Sequence, residues 1–240
     1  MIRFILVLVF LLIFFTLSIP VFLILWIIGK FSPKTRSKIS QVIVRGAFRI
    51  ILFLSGVRYT VNGKENIPDC ACLFVGNHTG FYDILISYCT INKVMGFVSK
   101  KEIKKVPLLN IWMIYINCLF LDRHSLKEGM KMIMAGTEQL KNGISVFIYP
   151  EGTRTKDGTM NPFKEGSLKM GERAKVPIIP VAITNTGDIF DNHKPFIHGA
   201  RITISFGEPI RTEGMSKDET KHLGAYSQSK VQEMLDAMNT

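Results

Sequence analysis

Residues 4–28 read FILVLVFLLIFFTLSIPVFLILWII, a run with no charged position. As a helix it would be roughly 37 Å long, more than the hydrocarbon core of a bilayer, about 30 Å. The run is too long for the apolar core of a signal peptide, and it has no cleavage site of the A-x-A kind. The pattern therefore predicts a retained membrane-anchoring helix. Pro20 lies inside it and predicts a kink or an interruption. Residues 37–57, SKISQVIVRGAFRIILFLSGV, place Lys38, Arg45 and Arg49 between apolar clusters at helical spacing. That is the pattern of an amphipathic helix lying in the membrane interface. A helix packed on the following domain is the alternative.

After Gly56 the pattern changes to short apolar runs alternating with helical stretches. Strands are expected at 57–61, 71–75, 96–98, 118–121, 145–149, 178–183 and 201–206. A helix is expected over 125–143, ending on Gly143 after Lys141, and another over about 217–238. Strands alternating with helices predict an α/β domain whose sheet is mixed but largely parallel and flanked by helices. The change of pattern divides the chain into membrane-anchoring helices, 1–56, and an α/β domain, 57–240.

Charge sharpens this picture once it is located. The 240 residues carry 30 Lys and Arg against 19 Asp and Glu, a net charge of +11. Nine of the bases precede the first carboxylate, Glu65, so the remainder is 21 bases against 19 acids. A basic excess confined to the flanks of an apolar helix points to anionic lipid headgroups. Nucleic acid is not expected as a partner, because its binders carry a basic face on the folded domain itself. Lys and Arg just after a membrane segment also predict that the domain lies on the cytoplasmic face. The four cysteines form no C-x-x-C pair and read as reduced thiols.

Two stretches carry candidate chemistry. In CLFVGNHTGFYDILISY, residues 72–88, an apolar strand ends on Gly76 and is followed by His78 and Asp83. Thr79 reads as the N-cap of a helix beginning at Gly80. The helix's first turn would bring Asp83 back to His78, so that the carboxylate holds one ring nitrogen while the other acts as a base. On the plainer reading Asp83 only favours the helix dipole. No G-x-S-x-G elbow supplies a serine nucleophile, so a substrate hydroxyl is what such a base would serve. YPEGTRT, residues 149–155, turns at a strand end with Arg154 as a fork for a phosphate. FLDRHS, residues 120–125, ends another strand with Arg123, and VPIIPVAI, residues 176–183, frames a buried strand with prolines.

Taken together, NHTGFYD, FLDR, YPEGTRT and VPIIPVAI, in that order, resemble the four sequence blocks of the glycerolphosphate acyltransferase family. Within it the chain is most similar to the bacterial 1-acyl-glycerol-3-phosphate acyltransferase type. The resemblance covers roughly residues 57–210, with Asn110 where a Gly is common, Tyr149 for the usual Phe and Thr155 for the usual Ser. It implies that His78 is the general base and Asp83 its orienter, acting on the free hydroxyl of a lysophosphatidate that attacks an acyl thioester. It also implies that Glu151, Gly152, Thr153, Arg154 and Arg123 bind the glycerol phosphate, and Lys100 joins them through its basic neighbours. No metal or cofactor is implied, since acyl-coenzyme A or acyl carrier protein brings the acyl group as a donor substrate. The same chemistry on glycerol-3-phosphate or another lysolipid, a thioesterase, and a non-catalytic membrane-binding module are the other readings.

Overall fold

The computed structural model describes residues 1–123, 125–155, 159–184 and 186–239. Seven strands form one sheet: β1 (Arg58–Asn62), β2 (Leu73–Gly76), β3 (Met95–Lys100), β4 (Leu119–Leu121), β5 (Ser145–Ile148), β6 (Ile178–Ile183) and β7 (Arg201–Phe206). Their order across the sheet is β1-β7-β6-β2-β5-β3-β4. Pairing is parallel except between β6 and β7, so β1 and β7 run opposite to the other five. The expected α/β class and mixed, largely parallel sheet are what the chain adopts. β2, β5 and β6 are buried along their whole length, which is why each reads as a continuous apolar run rather than an alternation.

Among the described residues eight α-helices surround the sheet: α1 (Ile2–Phe31), α2 (Pro33–Leu54), α3 (Tyr82–Thr90), α4 (Leu109–Tyr115), α5 (Leu126–Lys141), α6 (Lys169–Ala174), α7 (Lys217–Lys221) and α8 (Leu223–Asn239). One face of the sheet packs Phe74, Phe147, Met95 and Val181 against residues of α1 to α4. The other packs Leu73, Val75, Val146 and Ile148 against α5, α6 and Leu223. The Ser125 hydroxyl caps α5, accepting from the Glu128 amide at 3.3 Å, and Gly143 leaves it at φ +81°. The single helix expected over 217–238 is two. A capping box at Ser216 and Glu219 starts α7, and the His222 amide closes it on Glu219 O before α8 begins.

α1 is long and apolar enough to cross a membrane, with a mean hydropathy of 3.0 over its most apolar stretch. It continues through Pro20 as one helix. The turns on either side of that proline are held against Trp112: Phe14 stacks on the indole, Phe22 lies 5.0 Å from it, and its Nε1 donates to Ser18 Oγ at 2.9 Å. At its other end Phe4 stacks on Phe190 at 6.1 Å. One stripe of α1 is thus packed on the protein from end to end, while Ile5, Leu12, Leu17, Leu23 and Ile24 on the rest of its surface are exposed.

In α2, a Ser32 N-cap and Pro33 in the first turn start the helix. The expectation that Arg45 faces lipid does not hold. Its guanidinium donates to the carbonyls of Tyr88 (3.1 Å), Ile91 (3.1 Å) and Lys93 (3.3 Å) at the C-terminal end of α3. A helix end leaves its last carbonyls without partners, and a cation there is favourable.

Candidate active site

β2 lies between β5 and β6, so the three loops that leave the C-terminal ends of these strands meet. The first loop makes its turn where glycine is needed for close approach. A Cβ on Gly80 would stand 2.7 Å from the Thr186 carbonyl carbon and 2.8 Å from the Gly187 nitrogen, both backbone. Asn77 ties the same loop to β6, its amide donating to Ile183 O at 2.8 Å and accepting from Ile183 N at 2.9 Å.

His78 is held on every side. Its Nδ1 lies 2.8 Å from Asp83 Oδ2, its ring stacks on Tyr149 with centroids 4.1 Å apart, and its amide donates to Glu151 Oε1 at 2.7 Å. Its carbonyl accepts from the Thr155 amide at 2.9 Å. A carboxylate only accepts, so the neutral imidazole carries its proton on Nδ1 and leaves Nε2 as the acceptor. Asp83 is fully buried. Its Oδ2 also accepts from the amides of Thr79 (2.8 Å) and Gly80 (3.0 Å), and Oδ1 accepts from the Thr186 hydroxyl. The cap expected of Thr79 does not form: α3 begins at Tyr82 without a side-chain cap at Phe81, the Asp83 carboxylate holds amides that precede the helix, and the Thr79 hydroxyl pairs with Thr186 at 2.9 Å.

The His78 ring opens on a cavity of about 350 Å³ with two kinds of wall. Phe48, Ile84, Tyr88, Phe97, Met113 and Ile116, from α2, α3, β3 and the end of α4, make it apolar toward the layer that carries α1. Lys100, Arg123, Gly152, Thr153, Arg154 and Lys164, from beyond the ends of β3, β4 and β5, make it basic at the sheet edge. Partial burial lowers the Arg123 pKa, opposed by Glu102, but an arginine stays charged at neutral pH. Arg154 pairs with Asp191 and lies 5.0 Å over the Phe81 ring. It also lines a second, polar cavity of about 440 Å³ with Thr79, Asn192 and Lys194.

Of the residues expected at the site, His78, Lys100, Arg123, Gly152, Thr153 and Arg154 share the cavity, and Asp83 lies behind His78. Glu151 does not line it. Its side chain is buried, with one oxygen on the His78 amide and the other on the Asn161 amide at 2.8 Å. Burial raises its pKa, and the two amides partly offset that. His124 of FLDRHS lies outside the described residues. Lys164, Thr186 and Asp191 were not expected; only Lys164, in a basic and aromatic stretch close behind YPEGTRT, left a signal in the sequence. Among the described residues no cluster of His, Cys, Asp or Glu is arranged to hold a metal.

Comparison with known proteins gives the family and the fold. The chain is 28% identical over 202 residues to the 1-acyl-sn-glycerol-3-phosphate acyltransferase of Borreliella burgdorferi, covering 84% of this chain and 81% of that one. It is 27% identical over 200 residues to the enzyme of that name from Saccharomyces cerevisiae, covering 82% of this chain and 65% of that one. The crystal structure of the 1-acyl-sn-glycerophosphate (LPA) acyltransferase PlsC from Thermotoga maritima shares the fold, with a TM-score of 0.77 at 24% identity over 99% of this chain and 98% of that one. A family model for acyltransferases matches residues 58–184, more than half of the sequence and the stretch that contains His78, Asp83 and Arg154, and the chain belongs to that acyltransferase family.

Proposed function

We propose that the protein transfers a fatty acyl group from an acyl thioester to the free hydroxyl of a 1-acyl-glycerol-3-phosphate, giving phosphatidic acid for phospholipid synthesis. One observation carries the reading: a histidine whose Nδ1 is held by a carboxylate lines a cavity that is apolar toward the α1 layer and basic at the sheet edge. An acyl chain suits the first wall and a phosphomonoester the second.

In this mechanism His78 Nε2 takes the proton of the acceptor hydroxyl as its oxygen attacks the thioester carbonyl carbon. The tetrahedral intermediate collapses with cleavage of the carbon–sulfur bond, and the imidazolium returns the proton to the departing thiolate. Asp83 stabilises the imidazolium and fixes the tautomer, and a base so placed contributes on the order of 10² to 10⁴ in rate. Arg123, Arg154 and Lys100 bind the phosphate, with Lys164 as a fourth cation and Gly152 and Thr153 as the turn that presents Arg154. Glu151 holds the His78 backbone instead of touching the acceptor. Residues 1–56 anchor the enzyme and 57–240 carry catalysis. Because one stripe of α1 is packed on the protein along its length, the helix lies in one leaflet with its other surface in lipid, the catalytic domain being on the cytoplasmic face.

The test is phosphatidate formation in liposomes by wild type and His78→Ala, with lysophosphatidate and either acyl-coenzyme A or acyl carrier protein as donor. Wild type is expected to form phosphatidate from one of the donors, and a folded His78→Ala to lose about a hundredfold or more. Product from neither donor, or full activity in His78→Ala, would overturn the proposal. Thioester consumption without an acceptor would point to hydrolysis.

A further inference from the structure

Arg3, at the start of α1, Arg58, at the start of β1, and Arg201, at the start of β7, line one shallow cavity of about 310 Å³ with Gly56, Gly199 and Ala200. Among the described residues no acidic one lines it. All three arginines are exposed, and among the described residues none takes part in an ion pair. Arg58 and Arg201 are register partners on neighbouring strands, an arrangement of like charges that destabilises a sheet on its own.

The Arg3 guanidinium is seated rather than loose. A Cβ on Gly56 would stand 3.0 Å from its Cζ and Nη2, and one on Gly199 would stand 2.9 Å from its Nη1. Two residues without side chains thus make a floor for the guanidinium in the cavity that the other two arginines also line. Three planar forks on one cavity without a carboxylate suit a multiply oxygenated anion.

The position says which anion. β1 and β7 run opposite to β2, β5 and β6, so Arg58 and Arg201 stand at the sheet edge from which the His78 loop also leaves. Ile2, Ile5 and Leu6 of α1 are exposed next to Arg3. The seat is therefore the polar rim of an apolar surface, the depth at which lipid phosphates lie. Two other bases of the first fifty residues are engaged elsewhere: Arg45 on the α3 carbonyls, and Arg36 over the Tyr115 ring at 4.5 Å.

We infer that Arg3, Arg58 and Arg201 form a seat for the headgroup phosphate of an anionic phospholipid, fixing the N-terminal end of α1 at the membrane surface. The test is binding of the full chain to phosphatidylcholine vesicles with and without phosphatidylglycerol. R58Q/R201Q is expected to weaken binding to the anionic vesicles about tenfold and to leave binding to the neutral ones unchanged. The control K127Q/K217Q removes the same charge from exposed positions on α5 and α7, away from the α1 layer, and is expected to stay within about twofold of wild type. Arg3→Gln, at an exposed position outside the sheet, repeats the test without touching a strand and is expected to lose severalfold.

Equal losses in R58Q/R201Q and the control would show diffuse attraction and overturn the seat, as would an unchanged Arg3→Gln. Binding of inorganic phosphate that is lost in R58Q/R201Q yet leaves the binding of wild type to anionic vesicles unchanged would assign the seat to free phosphate and overturn the lipid assignment.

Discussion

Replacing Thr186 by valine keeps the shape of the side chain and deletes one hydroxyl. That hydroxyl donates to Asp83 Oδ1 and also pairs with Thr79 Oγ1. Asp83 and Thr186 are fully buried, so water is not at hand to replace the donor. A hydrogen bond to a charged group contributes about 1.5–3 kcal/mol, and each 1.36 kcal/mol is tenfold in rate. If the loss falls wholly on the transition state, kcat/KM drops by about 10- to 150-fold. Any part that falls on the resting fold lowers unfolding stability instead. The expected result in a phosphatidate-forming assay is a kcat at least about tenfold lower with KM nearly unchanged.

A second variant separates positioning of Asp83 from simple loosening of the core. Thr186→Ser, which restores the donor, should recover most of the rate. A folded Thr186→Val within about twofold of wild type in kcat would refute the reasoning. So would a serine variant as slow as the valine one.

Arg45→Gln should cost about 2 kcal/mol of stability, because it removes the guanidinium from three carbonyls at the end of α3. Its urea midpoint in detergent should fall while vesicle binding holds, and the reverse pattern would return Arg45 to the lipid surface. Burial raises the folded pKa of Glu151 above its ordinary 4.5, so the native state binds this proton more tightly than the unfolded chain. Its contribution to stability is then fully present below pH 4.5 and is lost as pH rises through the higher folded value. The stability of wild type relative to Glu151→Gln should therefore fall across that window in urea titrations. A difference that grows with pH would mean that the His78 and Asn161 amides outweigh burial.

The residues that sequence patterning places correctly are those whose partners are close along the chain. All seven strands lie where short apolar runs predict them, the ends shifting by a residue or two, because a strand buried on both faces leaves a run that a turn must close. His78 and Asp83 are five residues apart, and one turn of chain brings them together. What holds that pair is remote: Thr186 lies 103 residues beyond Asp83 and Glu151 lies 73 beyond His78. These contacts exist because β6 and β5 flank β2, an order that periodicity does not encode.

The places of Arg45 and Glu151 were not legible for a related reason. A base on an amphipathic helix and an acid beside a phosphate-binding arginine look outward when only their neighbours in sequence are considered. In the fold one meets the unsatisfied carbonyls at a helix end and the other meets two backbone amides, and buried polar groups of that kind take whatever partner the topology supplies. The three arginines at the α1 end obey the same rule with the opposite outcome. Topology brings Arg3, Arg58 and Arg201 together from three distant stretches of chain and, among the described residues, supplies them no acidic partner, which is why the seat proposed for them takes its anion from outside the protein.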